Sequence, residues 1–318
     1  MNKEEDAAPA ARPTPDDVDK PTVALALGAG GARGLAYIGA IEEIEAQGFQ
    51  IVAIAGSSMG ALIGGIHAMG KLDVYRDWVC ALARFDVLRL VDWTFSGGGL
   101  IKGERIIGTL RGLIGDTLIE ELPLAFTAVA TDLDRGREVW LSRGNLFDAI
   151  RASIAVPTVF RPHHVGGRRL VDGALLNPVP VTPLIRSEAD YVLAVSVDGP
   201  IETIAAPAPA PAESESADET SYRHRISEFI NRLIPRGESQ PREPGTLDTL
   251  NQAMDLMQAN LSRLRLAAYE PDLLIELPRN VASVYEFYRA RELIERGRTQ
   301  ARKALAEWPR SGAPVRSE

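Results

Sequence analysis

The sequence predicts an α/β fold built on a mainly parallel sheet, on three observations. Short apolar runs rich in Val, Ile, Leu and Ala alternate with segments of helical periodicity. The first two of them, at 23–27 and 51–55, are apolar throughout, as expected of strands buried on both faces. The junctions from run to helix are short and, in two cases, rich in glycine and serine. Helices interleaved with such strands cover both faces of the sheet, giving three layers.

The first twenty residues, MNKEEDAAPAARPTPDDVDK, carry six acids, three bases and three prolines without an apolar run. That is the composition of a disordered tail and not of a signal peptide. VALAL (23–27) is the first strand and leads to a helix around 34–47; IVAIA (51–55) is the second and leads to a helix around 59–70. FTAVAT (126–131), RRLV (168–171), YVLAVSV (191–197) and DLLIEL (272–277) supply the later strands. IETIAAPAPAPAESESADET (201–220) is too poor in large apolar residues to bury a core and opens a flexible insertion over about 201–245. Periodicity returns over 246–266, where Leu250, Met254, Met257 and Leu261 stand at helical spacing. A last helix in VYEFYRARELIERGRTQARKAL (284–305) carries Glu292 and Arg296 as an i, i+4 pair. Because both flanks of the insertion supply α/β elements, the expectation is one domain over 21–310.

Composition narrows the function. Of 318 residues, 35 are Lys or Arg and 43 Asp or Glu, a formal charge of −8. This excludes a basic nucleic-acid binder held by phosphate contacts. A single cysteine, Cys80, forbids an intrachain disulfide, and histidines at 67, 163, 164 and 224 are too scattered for a zinc finger. A cytoplasmic, metal-free protein is expected. Residues 51–70 lack any acid, Lys or Arg. Their five glycines and paired serines split them into strand, turn and helix, which opposes a membrane span.

The first strand-to-helix junction reads Gly28-Ala29-Gly30-Gly31-Ala32-Arg33-Gly34. Four glycines in seven residues leave backbone N–H groups bare at a helix N-terminus, where they attract negative charge. A dinucleotide fingerprint would need glycine where Arg33 stands and an acid where the second strand ends in Ala55-Gly56. No GK[ST] follows, so a Walker A loop is also excluded.

The second junction, Gly56-Ser57-Ser58-Met59-Gly60, is G-x-S-x-G with Ser58 at its centre. A serine on a sharp strand-to-helix turn presents its hydroxyl for nucleophilic attack. Such a serine needs a base. His67 lies nine residues on along the same helix and faces elsewhere; His163 and His164 flank Pro162 in an apparent loop, too early for the order Ser, acid, His; His224 adjoins the insertion. A carboxylate remains. Asp172 ends an apolar strand, precedes Gly173, and is followed by the stiff segment Asn177-Pro178-Val179-Pro180. Either Asp172 marks a turn or it forms a Ser–Asp dyad with Ser58.

GAGGARG, GSSMG, ASIAVPTVF (152–160) and LVDGALLNPVPV (170–181) occur in the order found in patatin-like phospholipases, and the chain most resembles compact bacterial members related to the catalytic domain of neuropathy target esterase. The resemblance is dense over 22–198 and looser over 271–278 and the final helix. It implies a three-layer α/β/α patatin-like fold and hydrolysis of a fatty-acyl ester of a phospholipid or lysophospholipid, without a cofactor. It places the nucleophile at Ser58, its base at Asp172, and the oxyanion or substrate-binding loop at Gly30, Gly31, Arg33 and Gly34. Arg33 either orders that loop or attracts a head group. Tyr37 stands where members often have His, and Ala174 where they often have Gly, which bears on substrate preference. Acyl transfer by the same dyad, or an idle lipid-responsive module, are the other readings left open.

A lipid hydrolase without a span must meet the bilayer surface, here the inner face of the membrane. Within the insertion, Tyr222, Ile226, Phe229, Ile230, Leu233 and Ile234 fall on one helical face bordered by Arg223, Arg225, Arg232 and Arg236. A helix over 221–236 fits an anionic lipid interface, a cover on the domain, or a subunit contact.

Overall fold

The computed structural model describes residues 20–82, 103–157, 159–202 and 246–309. The tail at 1–19, most of the insertion, and the amphipathic segment 221–236 lie outside the described residues. By their internal contacts the residues group into two units, 1–202 with 258–318, and 203–257. Of the second, the described part is the beginning of a long helix, Thr246–Ala268.

The first unit is built on an eight-stranded sheet. Its strands are β1 (Thr22–Leu27), β2 (Gln50–Ser57), β3 (Ala125–Asp132), β4 (Arg137–Leu141), β5 (His163–Val165), β6 (Arg168–Asp172), β7 (Tyr191–Gly199) and β8 (Leu273–Pro278). The order across the sheet is β5-β6-β3-β2-β1-β7-β8, with β4 also paired to β3. β3, β2, β1, β7 and β8 run parallel, and β4, β5 and β6 form an antiparallel end. The helices are α1 (Ala36–Ala46), α2 (Met59–Ala68), α3 (Leu72–Ala81), α4 (Glu104–Ile114), α5 (Leu146–Ser153), α6 (Thr246–Ala268) and α7 (Ala290–Glu307).

Residue size separates the two faces of the sheet. Ala24, Ala26, Ala53, Ala55 and Ala194 form a flat surface on which Val179, Val181, Leu184, Ala189 and Leu266 of α6 pack. On the other face Leu27, Ile54 and Phe126 press against α2, close enough that a Cβ at Gly64 would touch all three. Gly65 admits Leu146 and Ile150 of α5 to the same helix in the same way. Small residues again set the distance where α1 meets α7: a Cβ at Gly39 or Gly297 would overlap the backbone of Ile294 or Ala36 respectively.

Every predicted strand is present, and residues 51–70 divide into β2, a turn and α2. Among the described residues no helix is long and apolar enough to cross a membrane. Two expectations are corrected. His163 and His164 are not in a loop but in β5, a three-residue strand paired with β6. The last helix starts at Ala290 and not near Val284, because the Val284 carbonyl is drawn away to accept from the Ala32 N–H at 2.9 Å.

Candidate active site

The glycine-rich loop follows the carboxyl end of β1 and Ser58 that of β2, the usual ligand side of a parallel sheet, and Asp172 approaches Ser58 from the end of the antiparallel β6. β2 ends at Ser57, and Ser58 turns the chain into α2 with φ 54° and ψ −120°. It is the one non-glycine residue with positive φ among those described. That conformation costs of order 1–3 kcal/mol and persists only where the surroundings hold it. The flanking glycines allow the crossing: a Cβ at Gly56 would overlap Gly60, and one at Gly60 would overlap Leu27 and Gly28. The Gly60 N–H donates to the Gly28 carbonyl at 3.1 Å, joining the elbow to the glycine-rich loop.

That loop continues as a 3-10 turn, Gly31–Leu35. Gly31 has φ +54°, a conformation that suits glycine, and lies against the Val284 carbonyl. Ala29 donates to the Pro178 carbonyl at 2.8 Å, so the stiff Asn177–Pro180 segment braces the loop. Tyr37 braces it from below, its hydroxyl donating to the Ala29 carbonyl at 2.9 Å. Among the described residues no hydrogen-bond partner is found for the N–H groups of Gly30, Gly31 and Met59. Donors so left are what an oxyanion requires.

Arg33 is buried and faces the core. Its Nε donates to the Gly30 carbonyl (3.3 Å), and its Nη1 to the carbonyls of Arg279 (3.0 Å) and Val197 (3.4 Å). Its Nη2 lies 3.8 Å from Asp198. Asp198 in turn accepts from the Ser262 hydroxyl of α6 at 2.8 Å. Of the two roles the sequence left open, these bonds suit loop ordering. Gly34 lies against Met59, where a Cβ would crowd the methionine side chain.

Asp172 ends β6, opposite Ala130 of β3, and is 2 % exposed. One carboxyl oxygen accepts from the Ala174 N–H at 2.8 Å. The other is buried without an aligned hydrogen-bond donor, although the Ser58 hydroxyl is near enough to draw the carboxyl's pKa down. Burial outweighs both contacts and pushes that pKa from 3.8 up to about 7.

Two of the described histidines, His67 and His163, lie against other carboxylates. Burial lowers His67 to about 4, so its 3.3 Å contact with Glu45 is not an ion pair at neutral pH. His163 lies 3.6 Å from Asp148 and is lowered by burial and the nearby Arg151. His164 is on the exposed side of β5, and His224 is outside the described residues. No described group of three or more His, Cys, Asp or Glu side chains is arranged to hold a metal ion.

Sequence reasoning missed three polar residues around this site: Ser153, Asp198 and Ser262. All are buried and hydrogen-bonded over long sequence separations. Ser153 lies inside ASIAVPTVF, so its position was visible although its partner was not.

A family model described as patatin-like phospholipase matches residues 25–185. An uncharacterized NTE family protein of Mycobacterium bovis is 39 % identical over 332 residues, covering 90 % of this chain and 91 % of that protein. A Mycobacterium tuberculosis protein of the same description matches equally. A lysophospholipase of Emericella nidulans is 28 % identical over 183 residues, 55 % of this chain and 12 % of that protein.

Proposed function

Because the chain belongs to the patatin-like phospholipase family, we infer that it is a serine hydrolase cleaving fatty-acyl esters of phospholipids or lysophospholipids through Ser58 and Asp172. The observation that carries this reading is a serine with positive φ at a helix N-terminus beside a buried carboxyl whose pKa is about 7. A base is most effective when its pKa is near the working pH.

In the proposed reaction the Ser58 hydroxyl attacks the acyl carbonyl while Asp172 takes its proton. The N–H groups of Gly30, Gly31 and Met59 receive the oxyanion, each donor being worth about 3 kcal/mol in comparable sites. Asp172 returns the proton to the departing glycerol oxygen, leaving an acyl-enzyme. Water then attacks it, with Asp172 again as base. Arg33 acts on this sequence through the loop it anchors. No step needs a cofactor.

The E. nidulans relative's description as a lysophospholipase favours a lysophospholipid as one substrate class. On this reading the protein works in the cytoplasm and meets lipid at a surface. The test is product analysis on a panel of phospholipids and lysophospholipids with and without an added alcohol. Free fatty acid released by wild type and not by Ser58→Ala supports hydrolysis. Acyl ester formed on the alcohol in its place supports transfer, and neither product supports the idle module.

A further inference from the structure

The elbow's conformation requires an anchor. β2 and β3 pair through Ser57 and Val129, and the ladder then stops because the chain turns away at Ser58. The Ser58 N–H therefore lies past the last paired residues of the ladder. Ser153, the last residue of α5, joins it to β3: its hydroxyl accepts from the Ser58 N–H at 2.9 Å and donates to the Val129 carbonyl at 2.6 Å. It is fully buried.

The geometry points to Ser153 as the positioning residue of the nucleophile. Its hydroxyl splices the elbow onto β3 and holds Ser58 in its positive-φ conformation, with the side chain toward the site. This rests on the reading of Ser58 as nucleophile and goes beyond it, since Ser153 touches no substrate. A hydroxyl is suited to the task because it accepts from the elbow and donates to β3 at once. An alanine keeps the volume but loses both bonds. The N-terminus of α5 is fixed independently, by Asn145 accepting from the Asp148 N–H at 2.9 Å.

The test compares wild type with Ser153→Ala, Ser153→Thr, Ser153→Val and Ser58→Ala on p-nitrophenyl butyrate, together with the rate and final stoichiometry of fluorophosphonate labelling. Small displacements of a reacting group cost up to about 100-fold. Ser153→Ala should therefore lower kcat about 10- to 100-fold with KM within about twofold, the signature of a lost transition-state interaction. Labelling should slow by the same factor yet still reach one adduct per chain, which a partly unfolded sample would not. Thr and Val are near-isosteric, so Thr should exceed Val in kcat by about tenfold, and this pair decides the matter if the alanine variant is recovered unfolded. Ser153→Ala with kcat within twofold of wild type, or Thr and Val equal, overturns the positioning role while Ser58→Ala remains inactive. Turnover by Ser58→Ala overturns the underlying reading instead.

Discussion

Replacing Asp172 by asparagine should abolish turnover and, above neutral pH, make the protein more stable. The carboxyl is 2 % exposed and its pKa rises from 3.8 unfolded to about 7 folded. Between those values the folded state binds the proton more tightly than the unfolded state. Stability therefore falls as pH rises from about 4 to about 7 and is flat above. A shift of about three units corresponds to roughly 4 kcal/mol, an upper figure for the cost of ionising Asp172 in place. Asparagine carries no charge and removes this cost. It keeps an oxygen for the Ala174 N–H but brings a buried amide NH2 whose desolvation offsets about 1–3 kcal/mol. The net gain at pH 8 is then about 1–3 kcal/mol, and it should fall as pH drops below about 7 and reverse sign by pH 4, where the wild-type carboxyl is protonated and only the amide's cost remains. Urea unfolding at pH 4, 6 and 8 measures it, alongside p-nitrophenyl butyrate turnover, which should fall at least about 100-fold with loss of the base. A stability difference independent of pH would refute the buried-carboxyl argument; retained turnover would refute the assignment of the base.

In wild type, kcat/KM should rise with pH through about 7, as the base must be ionised to act; a flat profile from pH 5 to 8 would count against it. Gly31→Val places a β-branched residue at φ +54° against the Val284 carbonyl, so labelling by a fluorophosphonate should slow at least about tenfold, and unchanged labelling would remove the loop from the site. Asp198→Ala leaves the Arg33 guanidinium buried without its carboxylate, and urea unfolding should show a loss of about 3 kcal/mol. His67→Ala, His163→Ala and His164→Ala should each keep turnover within about threefold, and loss of catalysis in a folded one would replace Asp172 as the base.

Some of this was legible in the chain because it is local. The elbow is a pentapeptide, the glycine loop seven consecutive residues, and the β1, β2, β3 and β7 cores are unbroken apolar runs that report burial on both faces. β4 was hidden for the opposite reason: REVWL is half exposed and polar enough to pass for a loop. β5 is three residues long and exists through its register with β6. The supports of the site were illegible because they are distant in sequence. Ser58 and Ser153 are 95 residues apart, Asp198 and Ser262 are 64 apart, and nothing near either pair announces the other. Arg33 was ambiguous for the same reason, since its acceptors come from β7 and the end of β8. Asp172 was visible as a position, but its raised pKa follows from burial beneath segments that the fold alone assembles.

The most direct test of the central claim is to map the site of covalent modification. Wild-type protein is incubated with a fluorophosphonate, digested, and its peptides measured by mass spectrometry. One adduct per chain on Ser58, absent from Ser58→Ala and strongly slowed in Asp172→Asn, is the result the account predicts. An adduct on another residue, or full turnover of p-nitrophenyl butyrate by Ser58→Ala, would contradict it.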